Sequence, residues 1–310
     1  MITLLKQIMT TETKYLLPAI ISLIVSATVS ALISLLVKKF ETRDKLSAEY
    51  THEQRKKVRE LTGKFHGRIL RACVNLNHRM WNLYSNEKNG WLNANGRYRS
   101  NSGYYLISFA HRFLQLISLI RQFEKDAVYL DTRYAKKDDF TFMHYLEAIY
   151  WAMTDVTLFK GIEYDPMLQT DHFFLDRLRS YADLCWINNE FISQEDFEKV
   201  THEQDRFDQV LKFFDGLNSS EERLRWDRLI VFHLFIISFI NNFGYDPQRT
   251  TPIQIKSILP KIRNKSIVDN VILWLPRIGI KNDKEIKILI KEMRAMKKMP
   301  GQQQPTTAAA

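Results

Sequence analysis

The 310-residue chain has little of what sheets, disulfide frameworks and most familiar catalytic sites require. It carries 10 glycines and 8 prolines and no stretch of clean apolar–polar alternation, which excludes a large sheet and leaves long runs of 3.6-residue apolar spacing. Only two cysteines occur, Cys73 and Cys185, each in an apolar pattern beside Val74 and Trp186 and without a second Cys or a His at ligand spacing. Two such residues exclude a disulfide framework and read as buried reduced thiols, suited to a reducing compartment. Recognisable chemistry is scarce too: there is no glycine-rich phosphate loop, no His-Glu-x-x-His, no paired Cys-x-x-Cys and no nucleophile elbow. These absences count against an enzyme, and no cofactor and no metal are expected.

Charge is missing from one long stretch. No charged residue lies between Tyr15 and Val37, and at about 1.5 Å per residue a helix of that length crosses a hydrocarbon layer of about 30 Å. Residues 15–37 are therefore expected to form a transmembrane helix. Val29-Ser30-Ala31 could serve as a signal cleavage site, but apolar residues continue through Leu35, Leu36 and Val37 to Lys38-Lys39, which favours an anchor. Lys6 and Lys14 precede the span, whereas Lys38, Lys39, Arg43 and Lys45 follow it. The positive-inside rule then places the protein in the cell membrane as a single-pass protein with its C-terminal part in the cytoplasm.

Within the span Ser22, Ser26, Ser30 and Ser34 recur at every fourth position, flanked by Ala19, Ala27 and Ala31. Residues four apart advance about 40° around a helix, so the serines trace a slowly slanting stripe of small, weakly polar side chains. Lipid supplies little hydrophobic drive between helices, so close backbone approach and cross-helix hydroxyl bonds favour association there. The stripe predicts a homo-oligomer. The alternative is that each serine bonds back to its own helix and faces lipid.

Beyond the span, the expected organisation is an N-terminal flank (1–14), a charged juxtamembrane stalk (38–60), a main helical domain (61–248), a small basic helical subdomain (249–299) and a disordered tail (300–310). The fold class is all-α: one N-terminal transmembrane helix followed by a multi-helix cytoplasmic bundle with no significant sheet. Helices are expected over Phe40–Tyr84, Tyr104–Phe123, Asp139–Met153, from a cap at Thr170 or Asp171 to Trp186, and from Ser193 to Phe214. Ser219 or Ser220 should cap the next helix, which contains the uncharged dozen Leu229–Ile240, too short to cross a bilayer and so the heart of the core. Three further helices start at Thr251-Pro252, Ser266 and Asn282. The loop Asn86–Gly103 carries Trp91 and Tyr98 beside Arg97 and Arg99, so either an aromatic pins the loop or the set binds a partner.

The net charge of +10 is unevenly spread: +1 over 1–37, +6 over 38–72, −6 over 73–248 and +9 over 249–298. In the last helix Ile286, Leu289, Ile290, Met293 and Met296 line one face, with Lys284, Lys287, Lys291, Arg294 and Lys298 on the other. That basic face can be a solvated outer surface, lie on an anionic leaflet, or meet an anionic partner, whether protein or RNA.

Two small constellations remain. His144 and Glu147, three apart, could share a metal, but Phe142, Tyr145 and Leu146 suggest a core edge. Arg71 and His78, seven apart with Asn75 between them, share a helical face. This spacing resembles the Arg-x6-His motif of HEPN ribonucleases, a helical family; the resemblance implies RNA cleavage across a dimer, with His78 as acid or base and Arg71 steadying the phosphate. It covers two residues, and Ala72 stands where the family often has a polar one. His233, alone in the apolar dozen, is expected to donate one structural hydrogen bond. The leading expectation is a membrane-anchored binding, scaffold or signalling protein; a tethered ribonuclease is the alternative and a membrane-perturbing effector a third.

Overall fold

A computed structural model describes residues 2–99, 103–167 and 170–298, with side chains described for Pro18 and from Ile20 on. The described chain is mostly helical and divides into two compact units, one up to Lys57 and one from Val58 on. The expected tail, 300–310, lies outside the described residues, as do the side chains of Lys6, Lys14 and Ala19.

The first unit is helix alone, part of α1 (Ile2–Ser85). Side chains from Ile20 through Tyr50 are exposed, including Leu23, Leu32 and Leu35. One helix is long and apolar enough to cross a membrane. Within it the Thr28 hydroxyl donates to the carbonyls of Ile24 and Val25 at 3.0 and 2.9 Å, so a polar group is satisfied without leaving the helix.

In the second unit the remainder of α1 buries Val58, Phe65, Ile69, Cys73, Leu76, Met80 and Tyr84, a spacing that keeps one face inward. The inward face of α2 (Tyr104–Ala127) is equally apolar, burying Leu106, Phe109, Phe113, Leu116 and Ile120. The most deeply set element is α7 (Arg225–Phe243), buried from Arg225 through Asn241. It packs against α3 (Lys137–Thr154), while α2 carries α4 (Leu175–Leu184), α5 (Gln194–Glu203) and α6 (Asp208–Phe214). α8 (Pro252–Ile258), α9 (Lys265–Trp274) and α10 (Lys284–Lys298) complete the unit, with α10 packed on α7 and α8. Cys73 and Cys185 are free and buried.

One minimal element joins the helices, and three local expectations are corrected. The chain 185–192 makes a minimal hairpin, β1 (Trp186–Ile187) with β2 (Glu190–Phe191), turned by Asn188 and Asn189, both at positive φ. The single helix expected from Ser193 to Phe214 is two: Ser193 does cap α5 by accepting from the Asp196 amide at 3.1 Å, but Gln204 is extended and α6 starts afresh at Asp208. Continuing the Phe197–Thr201 face would have buried Gln204, Asp205 and Asp208; the break turns Phe207, Val210, Leu211 and Phe214 inward instead. Neither Thr170 nor Asp171 caps α4, whose N-cap is Phe174, because the Asp171 carboxylate is engaged by Arg223 at 3.1 Å and its carbonyl by Arg228 at 2.6 Å. Neither Ser219 nor Ser220 caps α7, which begins after Leu224; their amides donate to Glu87 and Asn218 side chains at 2.5 and 2.9 Å.

The loop before α2 is pinned, by chemistry the sequence only half showed. Tyr98 is buried and its hydroxyl donates to Asp215 at 3.1 Å. The same carboxylate accepts from the amides of Ala94, Asn95 and Gly96 at 2.6, 3.1 and 2.8 Å. Asn95 and Gly96 both have positive φ, the conformation that turns successive amides toward one anion.

Candidate functional site

Three surfaces were expected to carry function. The first is the small-residue face of the exposed helix: Ser22, Ser26, Ser30 and Ser34, with Ala27 and Ala31, are all exposed on α1. The second is the outer face of α10, where Lys284, Lys287, Lys291, Arg294 and Lys298 are exposed while Ile286, Leu289, Ile290 and Met293 are buried against the rest of the unit. The amphipathic pattern thus closes the core on one side and leaves a cationic surface on the other. Part of that surface edges a shallow groove between α9 and α10 whose wall includes the exposed Leu273.

The third is the Arg71–Asn75–His78 set. All three side chains are exposed on the second unit's part of α1. Arg71 and Asn75 line a shallow depression together with Arg68, Gln115 and Phe191, and His78 lies outside it. The depression therefore joins Arg71 to Asn75 and to α2, not to His78.

Conspicuous buried polar groups of this unit, by contrast, serve packing. His233 is fully buried and held by two side chains rather than the single partner expected: Nε2 lies 2.7 Å from the Asn77 side-chain oxygen and Nδ1 3.0 Å from the Tyr84 hydroxyl. An amide oxygen can only accept, so Nε2 carries the proton and Nδ1 accepts from the tyrosine. Trp81 and Tyr84 close around the ring at 5.6 and 5.4 Å. Burial pushes His233 down to about 3, and burial followed by the Arg228 charge pushes His172 down to about 4. Between those values and the unfolded value of about 6.5 the unfolded chain binds protons that the folded chain does not. Folding stability is therefore full above about pH 6.5 and falls as the pH drops toward 4, by about 1.4 kcal/mol per pH unit for each histidine. Urea midpoints of the full-length protein in detergent, compared above and below that value, check the sign; an unchanged midpoint contradicts it.

His144 also has a packing role. Gly279, at φ +73°, lies so close that a Cβ there would come within 2.9 Å of its ring. Among the described residues no group of three or more His, Cys, Asp or Glu side chains is placed to hold a metal ion. Sequence reasoning missed two arginine ties. Arg228 is fully buried and donates to the carbonyls of Asp171, Ala152 and Asp155 at 2.6, 2.8 and 3.1 Å. Arg263 grips the buried carboxylate of Asp227 through Nε and Nη2 at 3.0 and 2.8 Å. The only sequence signal was the charge at both ends of the run Arg225–Arg228, just before the apolar dozen.

Comparison with protein families, with curated proteins and with solved structures finds no match. The functional reading rests on the residues themselves.

Proposed function

We propose that this chain is a single-pass, membrane-anchored helical binding, scaffold or signalling protein that self-associates through residues 15–37, with residues 38–298 on the cytoplasmic side. The observation that carries the reading is the exposed apolar helix from Ile20, bearing Ser22, Ser26, Ser30 and Ser34 on one slanting ridge. Small residues four apart let two backbones approach closely and favour a right-handed crossing near −40°. The cations at Lys38, Lys39, Arg43 and Lys45 support the orientation. The basic face of α10 is then an accessory contact for anionic lipid headgroups, each cation near a leaflet contributing about 1 kcal/mol.

Chemical cross-linking of the full-length protein in its native membrane tests this reading. Discrete oligomers are expected from the wild type, and the quadruple Ser22→Leu, Ser26→Leu, Ser30→Leu, Ser34→Leu variant should lose most of them, since each close polar contact in lipid is worth about 1 kcal/mol. Oligomers that survive the four substitutions overturn the interface.

A second reading is a tethered HEPN-like ribonuclease, supported by the exposure of Arg71, Asn75 and His78 on one helical face. It requires RNA cleavage by the wild type that both Arg71→Ala and His78→Ala abolish.

A further inference from the structure

The most unusual charge arrangement in the second unit lies where α1 and α2 run side by side. Ser108 is fully buried on α2, and its hydroxyl accepts from two arginines at once. Arg79, on α1, donates through Nη2 at 2.8 Å; Arg112, one helical turn beyond Ser108, donates through Nη1 to the same hydroxyl and to the Ser108 carbonyl at 3.1 Å. Among the described residues neither guanidinium has a carboxylate within ion-pair distance. Two cations sharing one neutral acceptor repel each other, and burial strengthens that repulsion. The described hydrogen bonds use one nitrogen of each guanidinium, so most of the donors on both forks remain for another acceptor.

The surroundings are arranged to hold the forks in place. The Arg79 guanidinium lies over the Tyr105 ring at 4.4 Å, and the Tyr105 hydroxyl donates to the Arg79 carbonyl at 3.2 Å. Trp91 packs on Tyr105 with ring centroids 5.1 Å apart. The Tyr104 phenol is exposed, and a hydrogen bond from Gln194, together with Ser108 and the two arginines, draws its pKa down. Burial and the neighbouring Arg79 draw the Arg112 pKa down as well, as expected where cations crowd without an anion.

We infer that Arg79, Arg112 and Tyr104 form a binding site for a phosphate-bearing small ligand, with Ser108 as the hinge that sets the two guanidiniums. A guanidinium fork matches two oxygens of a phosphate, and two forks from separate helices plus a phenol suit the three terminal oxygens of a phosphate monoester better than the two of a carboxylate. Bound there, the anion neutralises both cations and removes their repulsion.

The test is calorimetric titration of inorganic phosphate, and separately of adenosine 5′-monophosphate, into the full-length protein in zwitterionic nanodiscs at constant ionic strength. Saturable binding with one site per chain is expected, weakened about tenfold or more in Arg79→Gln and in Arg112→Gln and unchanged in Lys137→Gln, an exposed cation on α3. Helical circular dichroism and the melting temperature show whether these variants fold. The exposed Tyr104→Phe change, which removes only a hydroxyl, should weaken binding without altering either. Binding by both probes alike assigns the site to phosphate itself, and tighter binding of the nucleotide assigns it to a phosphorylated small molecule. Absence of saturable binding, or equal loss in Lys137→Gln, overturns the site. Binding seen only with single-stranded RNA and rising with its length also overturns it, in favour of a polyanion groove.

Discussion

Replacing Arg228 with leucine is expected to cost about 4 kcal/mol of folding stability, more than typical for a single substitution. Arg228 is fully buried, and its three nitrogens are spent on the carbonyls of Asp171, Ala152 and Asp155, with the Phe159 ring 4.5 Å from the guanidinium carbon. Those carbonyls come from the end of α3, the residue after it and the segment that leads into α4, so one side chain on α7 closes three places where helices do not satisfy their own backbone. Leucine fills the stem's volume but leaves the carbonyls without donors in a dry site, and each unsatisfied group costs about 1–3 kcal/mol. Burial lowers the Arg228 pKa to about 10, so the guanidinium stays charged at neutral pH. Arg228→Lys should lose about half as much, because an ammonium keeps the charge but cannot reach all three oxygens. Urea unfolding of the full-length protein in detergent, followed by tryptophan fluorescence, measures both. A leucine variant that unfolds at the wild-type midpoint would mean that water satisfies the carbonyls and that Arg228 is dispensable.

Asp227→Ala is expected to cost about 3 kcal/mol by a different route. Asp227 is fully buried, accepts the Arg263 amide at 2.6 Å and is gripped by the Arg263 guanidinium. Arg263 in turn donates to the carbonyls of Glu221 and Arg223, at 2.5 Å for the latter, so the pair ties the chain entering α7 to the chain leaving α8. Removing the carboxylate strands a half-buried cation; removing the cation strands a buried carboxylate. Arg263→Leu should therefore be at least as damaging, while the double variant should be more stable than the two single losses predict by about 1.5 kcal/mol or more. Additive losses in the same urea assay would show that the two residues act separately.

These two ties mark the boundary of what the residues announce on their own. The apolar dozen Leu229–Ile240 declares itself as core because twelve uncharged residues flanked by charge and by Asn241-Asn242 can neither face water nor span a bilayer. The α5 cap at Ser193 and the two faces of α10 are equally local, since each follows from residues within a turn or two of one another. Arg228 and Asp227 read locally as the solvated start of a helix. Their partners lie 36 to 76 residues away, and no periodicity links them. The same applies to His233, whose partners Tyr84 and Asn77 are 149 and 156 residues distant. The break between α5 and α6 escaped because Phe207 and Phe214 satisfy a helical pattern in the sequence; only the position of Phe197 against Phe207, with ring centroids 4.8 Å apart, shows that the face has to be reset.

Among the candidate surfaces, the serine ridge was the most legible, because a period of four stands out in a stretch that otherwise needs only to be oily. Arg79 and Arg112 were the least, since each lies in an ordinary amphipathic helix and their convergence on Ser108 exists only once α1 and α2 are side by side. Arg71 and His78 show the converse: a spacing conspicuous in the sequence, with Arg71 in a depression that His78 does not line.

The most direct test of self-association through the serine ridge is a cysteine scan of residues 20–37, with oxidative cross-linking of the full-length protein in its membrane. Cys73 and Cys185 are buried, so a thiol introduced among the exposed side chains of residues 20–37 is the accessible one. The account predicts disulfide-linked dimers at Ser22→Cys, Ser26→Cys, Ser30→Cys and Ser34→Cys, and little cross-linking at Ile24, Thr28 and Leu32, which lie half a turn away on the opposite face. Equal cross-linking at all seven positions, or maxima at Ile24, Thr28 and Leu32, would contradict it.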